Sequence, residues 1–140
     1  TNEAVTPDAL AGSYAGTESV IWNAVEAATD CAVADDVHGF YVPEAADGMN
    51  LVGVQAYNKT AGVTGTMSVQ LHNLDNALDM LSTVMTIETT ETSTRTATTP
   101  AVIDAANDHV NAGDYIRIDI DAVHTTAAKG LTIEAEFRLP

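Results

Sequence analysis

Between residues 114 and 123 apolar and polar side chains alternate, with Ile116, Ile118, Ile120 and Ala122 on one face and Arg117, Asp119 and Asp121 on the other. Residues 130–139 repeat the pattern, setting Leu131, Ile133, Ala135, Phe137 and Leu139 against Thr132, Glu134, Glu136 and Arg138. Successive side chains of a strand point to opposite faces of its sheet, so this period of two predicts two half-buried β-strands. Further strands are expected at 20–25, at 37–42, where Pro43 stops the ladder, at 49–57 with Val52, Val54 and Ala56 on one face, and at 66–72 with Met67, Val69 and Leu71 aligned. A turn is predicted at 44–48, a loop with two glycines at 58–65, a short strand at 82–87, a short buried segment at 100–103 and a turn at 107–113.

Two segments break the period. In 73–81, Leu74, Ala77, Leu78 and Leu81 recur at three and four residues, which predicts one or two helical turns at the edge of the sheet. Residues 86–99 are dominated by threonine, a β-branched residue that suits solvated strand or a long ordered loop better than a linker. Residues 1–19 carry few large apolar side chains and read as an extended N-terminal arm, with a short helical turn at 7–11. The remaining chain, 20–140, reads as one domain of roughly seven to nine short strands, and no segment has the periodic length of a crossover helix. The expected fold is all-β, an antiparallel β-sandwich of jelly-roll type. Immunoglobulin topology is disfavoured, because one cysteine and the early Trp22 do not supply its Cys, Trp, Cys spacing.

At 140 residues the chain is long enough for a self-sufficient core, a domain of this size burying about 68–70% of its unfolded surface. Its one cysteine, Cys31, lies among small apolar residues and reads as a buried small hydrophobe; no intrachain disulfide can form. No apolar run is long enough to cross a bilayer as a helix, and no basic segment precedes an apolar one at the N-terminus, so neither a membrane span nor a secretory signal is expected. A start at Thr1 fits removal of an initiator methionine. The formal charge is −15, with five basic and twenty acidic residues. The basic residues are scattered, which argues against nucleic acid as a direct partner, and the acidity suits a protein that stays soluble in concentrated salt.

Candidate chemistry is sparse. His38, His72, His109 and His124 show no ligand spacing and read as scattered surface residues. Asp119 and Asp121 share a strand face, as do Glu134 and Glu136. If those strands were hairpin neighbours, the four carboxylates would converge as a weak candidate site for a hard cation such as Ca²⁺ or as an acid and base pair, and otherwise they form a solvated outer face. Asn73, Asp75, Asn76 and Asp79 lack the spacing of a calcium loop and are expected to cap the adjacent turn. There is no Gly-x-Ser-x-Gly elbow and no glycine-rich phosphate loop. The sequence therefore assigns no catalytic residue and no cofactor. Trp22, Tyr14, Tyr41, Tyr57 and Tyr115 are the large aromatics that could serve glycan binding, and core or interface packing is expected to account for most of them. Exposed aromatics in a groove would favour a binding role.

The second half of the chain carries a series of local motifs: Gly65-Thr66-Met67-Ser68-Val69-Gln70-Leu71, Asp79-Met80-Leu81-Ser82-Thr83, Thr98-Thr99-Pro100-Ala101-Val102-Ile103-Asp104, Ala112-Gly113-Asp114-Tyr115-Ile116-Arg117-Ile118-Asp119 and Ala128-Lys129-Gly130-Leu131-Thr132. In this order they resemble small virion structural proteins of tailed viruses, and the resemblance extends over 40–140. It implies a β-sandwich that decorates a capsid or forms part of a head fibre, turret or tail. It further implies the major capsid protein or other virion proteins as partners, a homo-oligomer with a trimer favoured, and a place on the outer capsid surface. Enzymatic activity, nucleic acid and membrane are not expected.

Overall fold

The alternating C-terminal segments become the strands β9 (Tyr115–Ala122) and β10 (Lys129–Arg138). The computed structural model describes residues 16–140. The other strands are β1 (Thr17–Asp30), β2 (Phe40–Tyr41), β3 (Asn50–Tyr57), β4 (Met67–Asn73), β5 (Leu78–Asp79), β6 (Leu81–Thr83), β7 (Met85–Ile87) and β8 (Val102–Ile103). One sheet runs β1-β10-β3 and the other β2-β9-β4-β5, with β7 also on β4; β6 and β8 form a separate ribbon. All pairings are antiparallel. From β1 to β4 each step changes sheet, and β9 to β10 crosses back, which is the winding of a jelly roll.

The core lies between the sheets. Ile116, Ile118 and Ile120 of β9 and Met67, Val69 and Leu71 of β4 join Leu131, Ile133, Ala135 and Phe137 of β10 in one buried cluster. The sequence alternation thus reports which face of each strand meets the other sheet.

Several boundaries differ from expectation, each for a local reason. Thr17, Glu18 and Ser19 already pair with Arg138, Phe137 and Glu136, so the first strand starts before Val20; residues 1–15 of the expected arm, with its helical turn, lie outside the described residues. In β3 the first inward residue is Leu51, and Val52 is exposed. A bulge opposite Glu136 and Phe137 inserts one residue, which reverses the inside-outside parity before Val54 and Ala56. Of the expected strand 37–42 only Phe40–Tyr41 pairs regularly. Val102 is exposed, so the segment 100–103 is less buried than its composition predicts.

The expected helical turns in 73–81 are absent, and the segment is a hairpin turn returning as β5. Asn73 is the cause. Its side-chain oxygen accepts from the backbone N–H of Asp75 (3.1 Å) and Asn76 (3.3 Å), closing an Asx turn. Ala77 then takes a left-handed conformation, φ 54°, and Leu74 and Leu78 face outward. Asn73 itself is buried and donates from Nδ2 to Asp114 (3.0 Å), whose carboxylate also accepts from the Asn111 N–H. Asn73→Ala would leave these groups unmatched, and is expected to cost about 2 kcal/mol in urea unfolding with the native fold retained. A change within experimental error would show that water replaces the side chain at no cost.

An aromatic groove at the edge of the sandwich

The candidate functional site lies where the edge strands β1 and β2 of the two sheets approach. Trp22 sits on the inward face of β1, but β1 is an edge strand, so the indole is only partly covered. Its Nε1 donates to the backbone oxygen of His38 (3.2 Å), and its ring lies 5.1 Å from that of His38 and 6.1 Å from that of Phe40. Phe40 points into the core, and parity along β2 therefore sends Tyr41 outward, where it is 71% exposed. Tyr41 packs against Tyr115 at 5.0 Å between ring centroids. Together these side chains border an open groove of about 680 Å³ that also takes in Asp36, Leu74 and Asp75.

Tyr115 is held from three directions. Its hydroxyl accepts from the Gly39 N–H (2.9 Å) and donates to Asp36 (2.8 Å), while its backbone N–H donates to Asp75 (2.7 Å). Burial, and then the bond to Asp36, pushes the phenol above its ordinary pKa, so it stays protonated. Gly39 makes room for the ring: a Cβ there would lie 2.4 Å from the Ile116 backbone oxygen and 2.6 Å from the Tyr115 ring. The groove is therefore built in advance of any ligand, with its polar atoms already fixed.

The four carboxylates singled out from sequence do not converge. β9 and β10 belong to different sheets and share one core, so Asp119 and Asp121 lie on one outer face of the sandwich and Glu134 and Glu136 on the opposite one. Asp119 is also buried, at 4% exposure. Residues 34–37 run along β9, and there Asp119 accepts from the Asp36 N–H (2.9 Å) and from Arg117 Nη2 (2.7 Å). Glu136 lies 3.6 Å from Arg138. Among the described residues no group of three or more His, Cys, Asp or Glu side chains could hold a metal ion.

Asp121 reports the charge density of this face. Although its side chain is exposed, partial desolvation, and then the charges of Asp119, Asp35 and Asp79, raise its pKa. The folded state therefore binds this proton more tightly than the unfolded chain. Stability present at low pH is lost as pH rises through the raised value. Asp121→Asn is expected to raise the melting temperature at neutral pH, with the gap closing as pH falls below the ordinary carboxylate range. A constant gap across that range would contradict this assignment.

His38 and His109 are exposed, as expected, and His72 is partly buried, with Nδ1 at 2.7 Å from Asp79. His124 departs from the surface reading. It is 2% exposed, Nε2 meets the Glu88 backbone oxygen at 3.3 Å, and the ring lies against Gly62, where any Cβ would collide with it. The bridge between Val63 and Thr126 draws the 58–65 loop over the ring. Cys31 is buried, and burial followed by the Asp30 charge pushes its thiol to about 11, so it is a protonated core residue at neutral pH. Tyr41 and Tyr57 are exposed rather than packed in the core.

No protein-family model matches the chain, and no curated protein is significantly similar to it.

Proposed function

We propose that the chain is a non-enzymatic structural subunit of a tailed-virus particle, a decoration or cementing protein held on the outer capsid surface by contacts with the major capsid protein and with copies of itself. The resemblance of 40–140 to small virion proteins supports this reading, and one structural observation carries it. The two outer edges of the three-stranded sheet are treated differently. The edge of β3 is covered: Leu51 N–H donates to Asp108, Ala56 N–H to Thr94 and Asn58 N–H to Thr92. β1, fourteen residues long, borders its sheet with β10 on one side and no strand on the other among the described residues. Ile21, in its first half, is 67% exposed. An edge that no described strand covers, with an apolar side chain exposed beside it, is a template for strand addition by another chain.

The bulge at 26–29, where Val25 pairs with Leu131 and Asp30 with Lys129, limits that template to the first half of the strand. High negative charge keeps such a surface from indiscriminate association and suits a saline exterior. The test is sedimentation of the full chain: a trimer is expected, and Ile21→Lys should dissociate it while leaving the circular dichroism unchanged. A monomer at every concentration, or a trimer indifferent to Ile21→Lys, would overturn this use of the edge.

The groove of Trp22, Tyr41 and Tyr115 favours a second reading, a receptor- or glycan-binding domain of a fibre, turret or tail on the same kind of particle. Loss of adsorption with an intact shell, on deleting the gene, would select it.

A further inference from the structure

We propose that the aromatic groove receives a cationic side chain, an arginine or lysine presented by a partner protein. This deepens the structural-subunit reading and rests on it for the source of that partner. The hydrogen-bonding inventory of the groove carries the inference. Its fixed donors are already used: Trp22 Nε1 on the His38 backbone oxygen, the Tyr115 hydroxyl on Asp36, the Gly39 N–H on the Tyr115 hydroxyl and the Tyr115 N–H on Asp75. What remains inside is acceptor capacity. Asp36 and Asp75 each direct only one oxygen to Tyr115, leaving the second oxygen of each carboxylate without a side-chain partner. No lysine or arginine lines the groove. Arg117, two residues beyond Tyr115 on β9, is turned to Asp119.

A sugar hydroxyl both donates and accepts, and would find few donors here beyond the water-exposed Tyr41 hydroxyl and His38 ring. A guanidinium or ammonium group only donates, which matches a site whose free capacity is mainly that of carboxylate acceptors. The exposed Tyr41 ring supplies an aromatic face over which such a cation is attracted by the ring quadrupole. The chain's charge of −15 adds a long-range field of the right sign.

Trp22 is the sole tryptophan, so its indole N–H gives a single reporter resonance. The probes are a blocked glycine peptide with one central arginine, the same peptide with alanine at that position, and lactose and chitotriose as neutral saccharides, each titrated into the full-length isotope-labelled chain. The arginine peptide is expected to shift the Trp22 indole with a dissociation constant of about 1 mM. Tyr41→Ala and Asp75→Asn should each weaken it about fivefold, the amide of Asp75→Asn still accepting from the Tyr115 N–H. Added salt should weaken it further. An unmoved indole, equal binding of the alanine peptide, or saccharide binding as strong as that of the arginine peptide would overturn the proposal. Because the isolated chain is titrated, failure here leaves the place in the particle untouched, and absence of the chain from particles would leave the titration result standing.

Discussion

Phe137→Ala is expected to destabilise the domain by about 3–5 kcal/mol, enough to consume a large part of the stability of a small domain. Phe137 is among the largest fully buried side chains and sits on β10, the central strand of its sheet. It pairs on one side with Glu18 of β1 and on the other with Leu51, at the bulge where β3 changes parity. Truncation removes the transfer free energy of the ring and leaves a cavity beside a backbone irregularity that ladder bonds hold in place on both sides, so collapse into the space is restricted. Urea unfolding followed by Trp22 fluorescence measures the loss. A cost below about 1 kcal/mol would mean that the bulge relaxes to fill the void.

Gly39→Ala is expected to cost about 2–4 kcal/mol and to dismantle the groove. The nearest atom to the added methyl is the backbone oxygen of Ile116, which is fixed in β9, and the next nearest are the ring carbon and hydroxyl of Tyr115. Relief requires the backbone and the ring both to shift, and ring movement breaks both hydroxyl bonds, to Gly39 and Asp36. Tyr115→Ala does not remove the backbone collision, so Gly39→Ala should remain destabilising in that background. Tolerance of Gly39→Ala there would show that the segment before β2 moves freely. In the otherwise unaltered chain, the expected signatures are a lower urea midpoint and a changed Trp22 indole resonance.

The fold class was legible because alternation in β9 and β10 records burial directly: each isoleucine predicted to face inward is buried. The outward face was less legible. Asp119 belongs to the polar row of β9, yet residues 34–37 cover it, a tertiary event that its neighbours in sequence do not announce. The leucine spacing in 73–81 imitated a helix, and the decisive residue was Asn73, whose side chain offers the backbone a hairpin in place of a helical turn. His124 failed as a surface residue because Gly62, distant in sequence, accommodates its ring.

The groove joins β1, β2, β9 and the turn after β4, so its assembly depends on which strands lie at the sandwich edge. One local signal was present. With Phe40 inward and Pro43 ending the ladder, Tyr41 had to face out, and an outward tyrosine on a short edge strand is a binding side chain more readily than a packing one. The convergence of Asp119, Asp121, Glu134 and Glu136 required the two clearest strands to be hairpin neighbours. In a jelly roll the last two strands lie in opposite sheets.

The proposed role as a repeated component of a virus shell makes the copy number per particle the decisive quantity. Quantitative mass spectrometry of purified particles, with the major capsid protein as internal standard, is predicted to give a fixed simple stoichiometry, either one subunit per capsid protein or a fraction such as one third. Only a few copies or tens of copies per particle would contradict a lattice position and assign the chain to a tail or vertex fibre, and its absence from particles would contradict the account as a whole.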